Sequence, residues 1–138
     1  MSRGPENTFI GSVRKHLSKK VYALKNHNEY NSGIADVWYD GPAGDLWIEY
    51  KFIVVPKRDD TGIDLVGGKN PILSKLQQEW LADRHVNGRR VAVIVGSKEG
   101  GVWFEPMTWN YPLQAGMFRA GVVPRQALAA KIEGIVLG

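Results

Sequence analysis

The sequence contains no cysteine, which excludes disulfide bonds and thiolate metal sites. Its three histidines, His16, His27 and His85, have no mutual spacing that indicates a zinc site. After the polar start MSRGPENT, no apolar run is as long as a signal peptide or a membrane span. We therefore expect an intracellular, cytoplasmic protein that has no membrane partner.

The composition fits one globular domain over residues 1–138. An apolar content of 43% is sufficient for a single hydrophobic core at this length. Eighteen basic residues against 14 acidic residues give a net charge of +4, and the isoelectric point is near 9.4. This balance is compatible with a polyanionic partner without requiring one.

The stretch from Gly33 to Val55 predicts a β-hairpin. Its first arm IADVWY is β-branched and aromatic, DGPAGD contains turn residues, and LWIEYKFIVV alternates. If Asp40 and Asp45 close a four-residue loop, the register places Asp36 directly opposite Glu49. Their Cβ atoms would then be roughly 4.5 to 5.5 Å apart on one face, close enough to share a cation.

Lys51 projects from the same face, about 7 Å further along the strand than Glu49. A solvated surface ion pair is one interpretation of this face. A hard-cation site, in which two carboxylates bind Mg²⁺ and an ammonium positions a water, is the other. Partial cover by Trp47, Ile53 and Val55 favours the cation site. On the opposite face we expect a row of core residues: Leu46, Ile48, Tyr50, Phe52 and Val54.

Four residues carry a family resemblance. Gly33, Asp36, Glu49 and Lys51, in the spacing Gly-x-x-Asp-x12-Glu-x-Lys, resemble the signature of the PD-(D/E)xK nucleases, with Ala35 in place of the usual proline. Within that superfamily, residues 6–97 resemble phage endonuclease I-type and virus-type replication-repair (VRR-NUC) domains, which resolve branched DNA such as Holliday junctions. The resemblance is compatible with a phage-encoded protein in a bacterial host.

The resemblance implies a Mg²⁺-dependent endonuclease, with Mn²⁺ as a substitute metal. Asp36, Glu49 and the Tyr50 carbonyl would bind the metal. Lys51 would orient the attacking water and offset the charge that develops on the phosphate. The loop before Asp36 contains Asn28, Tyr30, Asn31 and Ser32, and we expect these residues to line the entrance to the metal.

A first helix is predicted from Pro5 to about Ser18 by the helical spacing of its apolar residues. Glu6 lies on the inward stripe of this helix. It is interpreted either as a favourable charge at the helix N-terminus or, by the resemblance, as a glutamate beside the metal site.

A second helix is predicted from Ile72 to Val86, with its apolar stripe formed by Leu73, Leu76, Trp80 and Leu81. Gln77 falls inside that stripe, so its amide needs a backbone group, a water or the site as a partner. The segment Ser74-x-x-Gln77-x-x-Trp80-Leu81 resembles the nuclease helix in which the glutamine borders the metal pocket. Gln78 is the weaker candidate.

The remaining elements complete the predicted fold. Val21 to Leu24 and Val91 to Val95 are strands, the latter covered on both faces because it is continuously apolar. The order helix, three strands, helix, strand is the αβββαβ core of the restriction-endonuclease-like α/β fold, in which helices flank a central mixed sheet. We expect this core over about residues 5–97 and a C-terminal extension over 98–138.

Two further regions have open interpretations. The segment PKRDDTGIDLVGGKNP is predicted as a long loop, in which Lys57, Arg58 and Lys69 either contact DNA phosphates or lie on a flexible surface excursion. In the extension, NYPLQAGMFRAG is predicted as a loop and PRQALAAKIEGIV as a short helix. Its aromatic residues are expected in the core or in a dimer contact rather than against bases: Trp103, Phe104, Trp109 and Phe118.

The predicted function is hydrolysis of DNA phosphodiester bonds, with branched DNA as substrate and a homodimer as the active form, because paired incision needs two sites. The alternatives are an inactive nucleic-acid-binding or assembly module of the same fold, and a nicking or restriction-type nuclease without junction specificity. Hydrolysis of another phosphate ester is disfavoured, because the chain has no Gly-rich phosphate loop.

Overall fold

A computed structural model describes residues 4–26 and 33–138. His27 and the predicted entrance residues Asn28, Tyr30, Asn31 and Ser32 lie outside these ranges. In chain order the elements are α1 (Gly4–Arg14), β1 (Tyr22–Lys25), β2 (Val37–Gly41), β3 (Gly44–Phe52), β4 (Gly62–Ile63), α2 (Lys75–Val86), β5 (Val91–Ser97), β6 (Gly100–Phe104), a 3₁₀ turn (Thr108–Asn110), β7 (Leu113–Gln114), α3 (Ala115–Gly121) and α4 (Arg125–Leu137).

Five of the strands form one mixed sheet in the order β1-β2-β3-β5-β6. β3 and β5 are parallel, and the other neighbours in this sheet are antiparallel. The α2 helix provides the connection from β3 to the parallel strand β5, as such a crossover requires. The predicted α/β class and the order helix, three strands, helix, strand are confirmed. Among the helices of the described ranges, none has the length and apolar character needed to cross a bilayer.

The predicted hairpin and its register are confirmed. Asp40 pairs with Asp45, and the same register continues to the pair Val37 and Ile48. Gly41 and Gly44 also pair, so the turn contains two residues rather than the predicted four. Gly44 has a φ of +129°, a conformation that favours glycine, and this permits the tighter turn.

Helices cover both faces of the central sheet. On one face α1 and α4 pack against the sheet, and the buried residues include Phe9, Tyr50 and Ile132. On the other face lies a second cluster that includes Leu81 and Phe118. Strand β5 is buried along its whole length, as predicted for a central strand. The two layers therefore leave site residues accessible only at the ends and edges of the sheet.

Several predicted boundaries are wrong in detail. The first helix ends at Arg14 instead of about Ser18. The second helix begins at Lys75, because Ser74 caps its N-terminus, so the buried Leu73 precedes the helix and Leu76 is exposed. Val54 is 90% exposed rather than in the core, because β3 ends at Phe52.

The segment after β3 is not a structureless loop. It contains β4, which pairs with β7, and it buries Ile63 and Leu65. Two backbone bonds fix it to α3, because Ala115 N–H donates to the Thr61 carbonyl and Gly116 N–H donates to that of Asp59. The predicted loop NYPLQAGMFRAG is wrong as well, since it contains β7 and α3. The predicted C-terminal helix is confirmed as α4.

Candidate active site

The segment that leads into the site contains Gly33, which closely contacts the first turn of α2. Gly33 has a φ of +93°, and a Cβ atom at this position would lie 2.2 Å from the Leu76 carbonyl oxygen. Any larger residue would therefore push the segment away from the helix. Three residues later, Asp36 directly precedes β2, so this contact positions the segment that carries Asp36 against α2.

Asp36 and Glu49 are both buried, with 5% and 1% of their surfaces exposed. The backbone N–H of Tyr50 donates to Asp36 Oδ2 over 2.9 Å. Glu49 Oε2 lies 3.4 Å from the Lys51 ammonium, whose side chain is 17% exposed. Within residues 4–26 and 33–138, Glu49 Oε1 is buried and has no hydrogen-bond partner. A buried carboxylate oxygen without a partner is costly, which marks this atom as a ligand position.

The electrostatics of the site reflect an excess of negative charge. Burial raises the pKa of Glu49 well above its ordinary value, and the nearby charge of Asp36 raises it further. Lys51 lowers this pKa, whereas the charge of Glu6 raises it. Glu6 on α1 is therefore close enough to act on Glu49. Three carboxylates share this region with the Lys51 ammonium, so a bound cation would relieve their repulsion.

Gln77 connects α2 to the carboxylate pair. Its side-chain Nε2 donates to Glu49 Oε2 over 2.9 Å, while its Oε1 accepts from the Ser74 backbone N–H. The Ser74 hydroxyl in turn accepts from the Gln77 backbone N–H, which completes a capping box. The cap fixes the amide so that its donor end points at Glu49. The predicted partner of Gln77 is thus the site itself.

Gln78, the weaker candidate, does not reach the carboxylates in this way. Its Nε2 donates to the carbonyls of Val66 and Leu73, which holds the preceding segment against α2. Sequence reasoning anticipated a role for Gln77 but missed the capping function of Ser74. The Ser-x-x-Gln spacing was the available signal.

No protein-family model and no curated protein sequence matches the chain. Its structure is similar to that of Archaeoglobus fulgidus Hjc, a Holliday junction resolvase from an archaeal hyperthermophile. The TM-score is 0.53 and the sequence identity is 15%, over 92% of this chain and 97% of that chain. The chain has the restriction-endonuclease-like fold. A match over 92% of the chain extends well beyond residues 6–97, so part of the C-terminal extension belongs to the shared fold.

The donor set fits a hard divalent cation. Across residues 4–26 and 33–138, no three His, Cys, Asp or Glu side chains form a group that could hold a metal by themselves. Asp36 and Glu49 form a two-carboxylate set, and Glu49 Oε1 has no other partner. Mg²⁺ is commonly held by one or two carboxylates and keeps several waters, so this sparse oxygen set suits it. The role of the Tyr50 carbonyl as a third ligand stays a prediction.

The predicted phosphate contacts lie on the surface of the anchored segment after β3. Lys57, Arg58 and Lys69 are exposed, and the Arg58 guanidinium is 3.0 Å from an oxygen of Asp60. An exposed pair of this kind is weak and can be exchanged for a phosphate. These cations belong to the segment that contains β4 and bonds to α3, and their contact with phosphate stays a prediction.

A hydrogen bond between two buried tyrosines next to the site was not anticipated, although Tyr50 was predicted in the core. The hydroxyls of Tyr39 and Tyr50 are 2.7 Å apart and buried. Burial raises the pKa of Tyr39 to about 12, although the hydrogen bond from Tyr50 lowers it. Both rings therefore stay neutral and form a rigid support under the strand that carries Glu49. Period-2 alternation marks both residues as core but does not reveal their pairing.

Proposed function

We propose that the protein is a divalent-metal-dependent DNA endonuclease that hydrolyses phosphodiester bonds, with branched DNA such as a four-way junction as its substrate. The observation that carries the proposal is the buried pair Asp36 and Glu49: Glu49 Oε2 lies beside the Lys51 ammonium, and Glu49 Oε1 has no hydrogen-bond partner among the described residues. The fold shared with a Holliday junction resolvase supports the choice of substrate.

Asp36 and Glu49 would hold Mg²⁺ or Mn²⁺, together with the Tyr50 carbonyl. When bound, the metal supplies Lewis acidity to the phosphate and lowers the pKa of a water molecule. Lys51 orients the nucleophile and offsets charge that develops on the phosphate oxygens. Gln77 holds Glu49 in position through the bond from Nε2 to Oε2.

Glu6 has a supporting role in this proposal. Its charge acts on Glu49 across the interface between α1 and β3. It is therefore suited to a second-metal or outer-sphere contact, as the resemblance implies. Its position in the first turn of α1 also favours a negative charge, so both interpretations of this residue apply together.

DNA and a second copy of the chain are the proposed partners. The net charge of +4 and the exposed Lys57, Arg58 and Lys69 suit contact with a phosphate backbone. A homodimer would supply the two sites needed for paired incision. Trp109 and Phe118 are buried in the core, so an interface through the extension would rely on exposed residues such as Tyr111 and Met117. Light scattering with and without a junction measures the assembly.

The alternatives differ in what they require of the buried carboxylates. An inactive binding module would keep Asp36 and Glu49 buried with only the single charge of Lys51 to offset two carboxylates, which is unfavourable. A nicking or restriction-type nuclease would keep the same chemistry and lack junction preference. The narrower resemblance to phage endonuclease I-type and VRR-NUC domains, and with it a phage origin, stays a prediction, since the structural neighbour is archaeal.

Equal-length duplex, flap, splayed-arm and four-way junction DNAs, incubated with Mg²⁺, Mn²⁺ or Ca²⁺, test the proposal. We expect cleavage with Mg²⁺ and Mn²⁺ and the highest rate on the junction. Equal rates on all four DNAs would remove junction specificity and leave the endonuclease. Absence of cleavage under every condition, together with binding that does not depend on a divalent metal, would favour the inactive module.

A further inference from the structure

A groove of about 790 Å³ borders the candidate active site at the carboxyl ends of β3 and β5. Its lining comes from the start of α1, the end of β3 and the residues after it, the turn between β5 and β6, the last turn of α3 and the start of α4. It includes Phe52, Val54, Lys98, Arg119 and Arg125. The volume lies within the range of small-ligand sites in proteins.

Two chain segments connect the groove to the site, although Phe52 packs on the face of β3 opposite to Lys51. Phe52 directly follows Lys51 on β3, and Pro5 in the groove directly precedes Glu6 on α1. Val54 is three residues beyond Lys51, a reach of at most about 11 Å along the chain. If a DNA phosphate is held beside Lys51, a neighbouring nucleotide would lie near the groove.

The exposed apolar surface of the groove is held in place by the sheet. Ile53 N–H donates to the Gly96 carbonyl over 2.9 Å, which fixes the segment after β3 against β5. Val54, which follows, is 90% exposed within the groove, above an apolar lining that includes Phe52 and Val55. A single exposed valine is ordinary. Val54, however, lies on a fixed segment and in a concave apolar lining near the proposed site of phosphate cleavage. We therefore expect it to contact a DNA base.

The cationic side chains of the groove differ in the partners that they already have. The Arg119 guanidinium is engaged by Asp59 and by the Pro56 carbonyl, so it mainly anchors the neighbouring segment. Arg125 Nε donates to the Ser12 hydroxyl over 2.7 Å, and the guanidinium carbon lies 4.7 Å from the Phe9 ring centroid. Its Nη2 also donates to the Ser97 carbonyl over 3.4 Å, and no carboxylate of the described residues forms an ion pair with it. Lys98 is exposed at the rim, next to Glu99.

We propose that this groove receives one unstacked nucleotide of the DNA strand being cut, with its base against Val54 and Phe52 and its phosphate near Arg125 and Lys98. The proposal rests on the endonuclease function above and adds a source of structural selectivity. A base inside a stacked duplex cannot enter a concave groove, whereas a base at a branch point can be unstacked at a lower cost. Apolar and aromatic contact to a base face tolerates any sequence.

A second groove of about 600 Å³ provides a contrast. It lies at the amino end of β3, next to Leu46, away from Glu49 and Lys51. Its Arg90 donates to the carbonyls of Ala43 and Ile135, so this guanidinium ties the hairpin turn to α4. Its lining residues lack the direct chain connections to Glu6 and Lys51 that the first groove has.

The test uses the full chain with Val54→Gln, and Val86→Gln as the matched control. Val86 is 81% exposed at the end of α2 and is outside the groove, so both changes replace an exposed valine by a neutral polar residue. The cut is first mapped on a four-way junction. Abasic sites are then placed one at a time at successive nucleotides next to the cut phosphate.

We expect Val54→Gln to lower junction cleavage and Ca²⁺-supported junction binding by about fivefold or more, the lower end of a lost base contact. Val86→Gln should match the wild type. One abasic position should lower wild-type cleavage to a similar extent, and on that DNA Val54→Gln should cause no further loss, since both changes remove the same contact.

The groove proposal would be overturned if the two variants cleave equally, or if the loss caused by Val54→Gln is undiminished on every abasic DNA. In either case, cleavage by the wild type would still support the proposed endonuclease function. Failure of the wild type to cut any DNA with any of the metals would overturn both. The two failures are thus distinguished by the wild-type protein alone.

Discussion

Strand β3 buries both of its faces, but the two faces have different chemistry. On one face Leu46, Ile48 and Tyr50 pack into the cluster formed with α1 and α4. On the other face Glu49 is buried beneath α2, and Lys51 is nearly so. Alternation along one strand thus separates an apolar support from a charged site by a single residue.

The two faces of β3 differ in the kind of contacts that stabilise their side chains. The apolar face gains stability from any well-packed neighbour, so its contacts are numerous and replaceable. The charged face has few contacts, and each is directional: Gln77 and Lys51 both reach Glu49 Oε2, whereas Oε1 has no partner in the part of the chain that the structure describes. The proposed cation would complete that set. Substitutions on the two faces should therefore change different observables.

The largest expected effect is on catalysis, from the charged face. Asp36→Asn, Glu49→Gln and Lys51→Ala should each lower metal-dependent junction cleavage by at least about a hundredfold, because each removes a charge at the reacting centre. The fold should persist, as measured by far-UV circular dichroism and urea unfolding. Near wild-type cleavage by any one of them would break the site assignment.

A substitution on the apolar face of β3 should change the stability of the fold rather than cleavage. Ile48→Ala leaves a cavity in the cluster beneath α4 and should lower the free energy of unfolding by about 2 to 5 kcal/mol. Cleavage per folded molecule should change little, because the side chain points away from Glu49. Urea unfolding and an activity assay below the transition measure both quantities. A hundredfold loss of cleavage without destabilisation would show that the two faces are not separable.

The hairpin and its register could be predicted because their signals are local. Alternating apolar residues, a Gly-Pro turn and two aspartates at its ends determine which residues face each other. The same register brings Asp36 and Glu49 together, so the centre of the candidate site follows from the sequence. The buried strand β5 was predictable for a similar reason, since a continuous apolar run has few other solutions.

The missed features depend on contacts between distant segments. The helix α3 has only seven residues, and its buried Ala115 and Phe118 are too few to show a helical period. Its position depends on backbone bonds to Asp59 and Thr61, far away in the sequence. Similarly, the exposure of Leu76 follows from a helix start at Lys75 that the Ser74 cap determines.

The charged face of β3 should also make the stability of the protein depend on pH, through Glu49. Because the folded-state pKa of Glu49 is raised, the metal-free folded protein holds a proton that the unfolded chain has lost. Stability should therefore fall as the pH rises above the ordinary glutamate pKa of 4.5 towards the folded pKa, by up to about 1.4 kcal/mol per pH unit.

Divalent metal should offset this loss at the higher pH, because it binds the deprotonated carboxylate. Thermal unfolding of the wild type and of Glu49→Gln between pH 5 and 8, with and without Mg²⁺, measures the effect. Glu49→Gln should remove both the slope and the Mg²⁺ response. A wild-type slope that persists in Glu49→Gln would assign the titration to another group.

The smallest expected effect concerns the contact that orients Glu49. Gln77→Ala removes the bond from Nε2 to Glu49 Oε2 and should lower cleavage by about tenfold, the loss of one hydrogen bond to a charged group. Gln78→Ala is the matched control, because that amide bonds only the Val66 and Leu73 carbonyls. Both variants remove one amide from the same helix, so their stabilities should be comparable. Gln77→Ala could instead lower the unfolding free energy more than Gln78→Ala and leave cleavage per folded molecule unchanged. In that case Gln77 acts only as a helix cap, and Lys51 orients Glu49 without it.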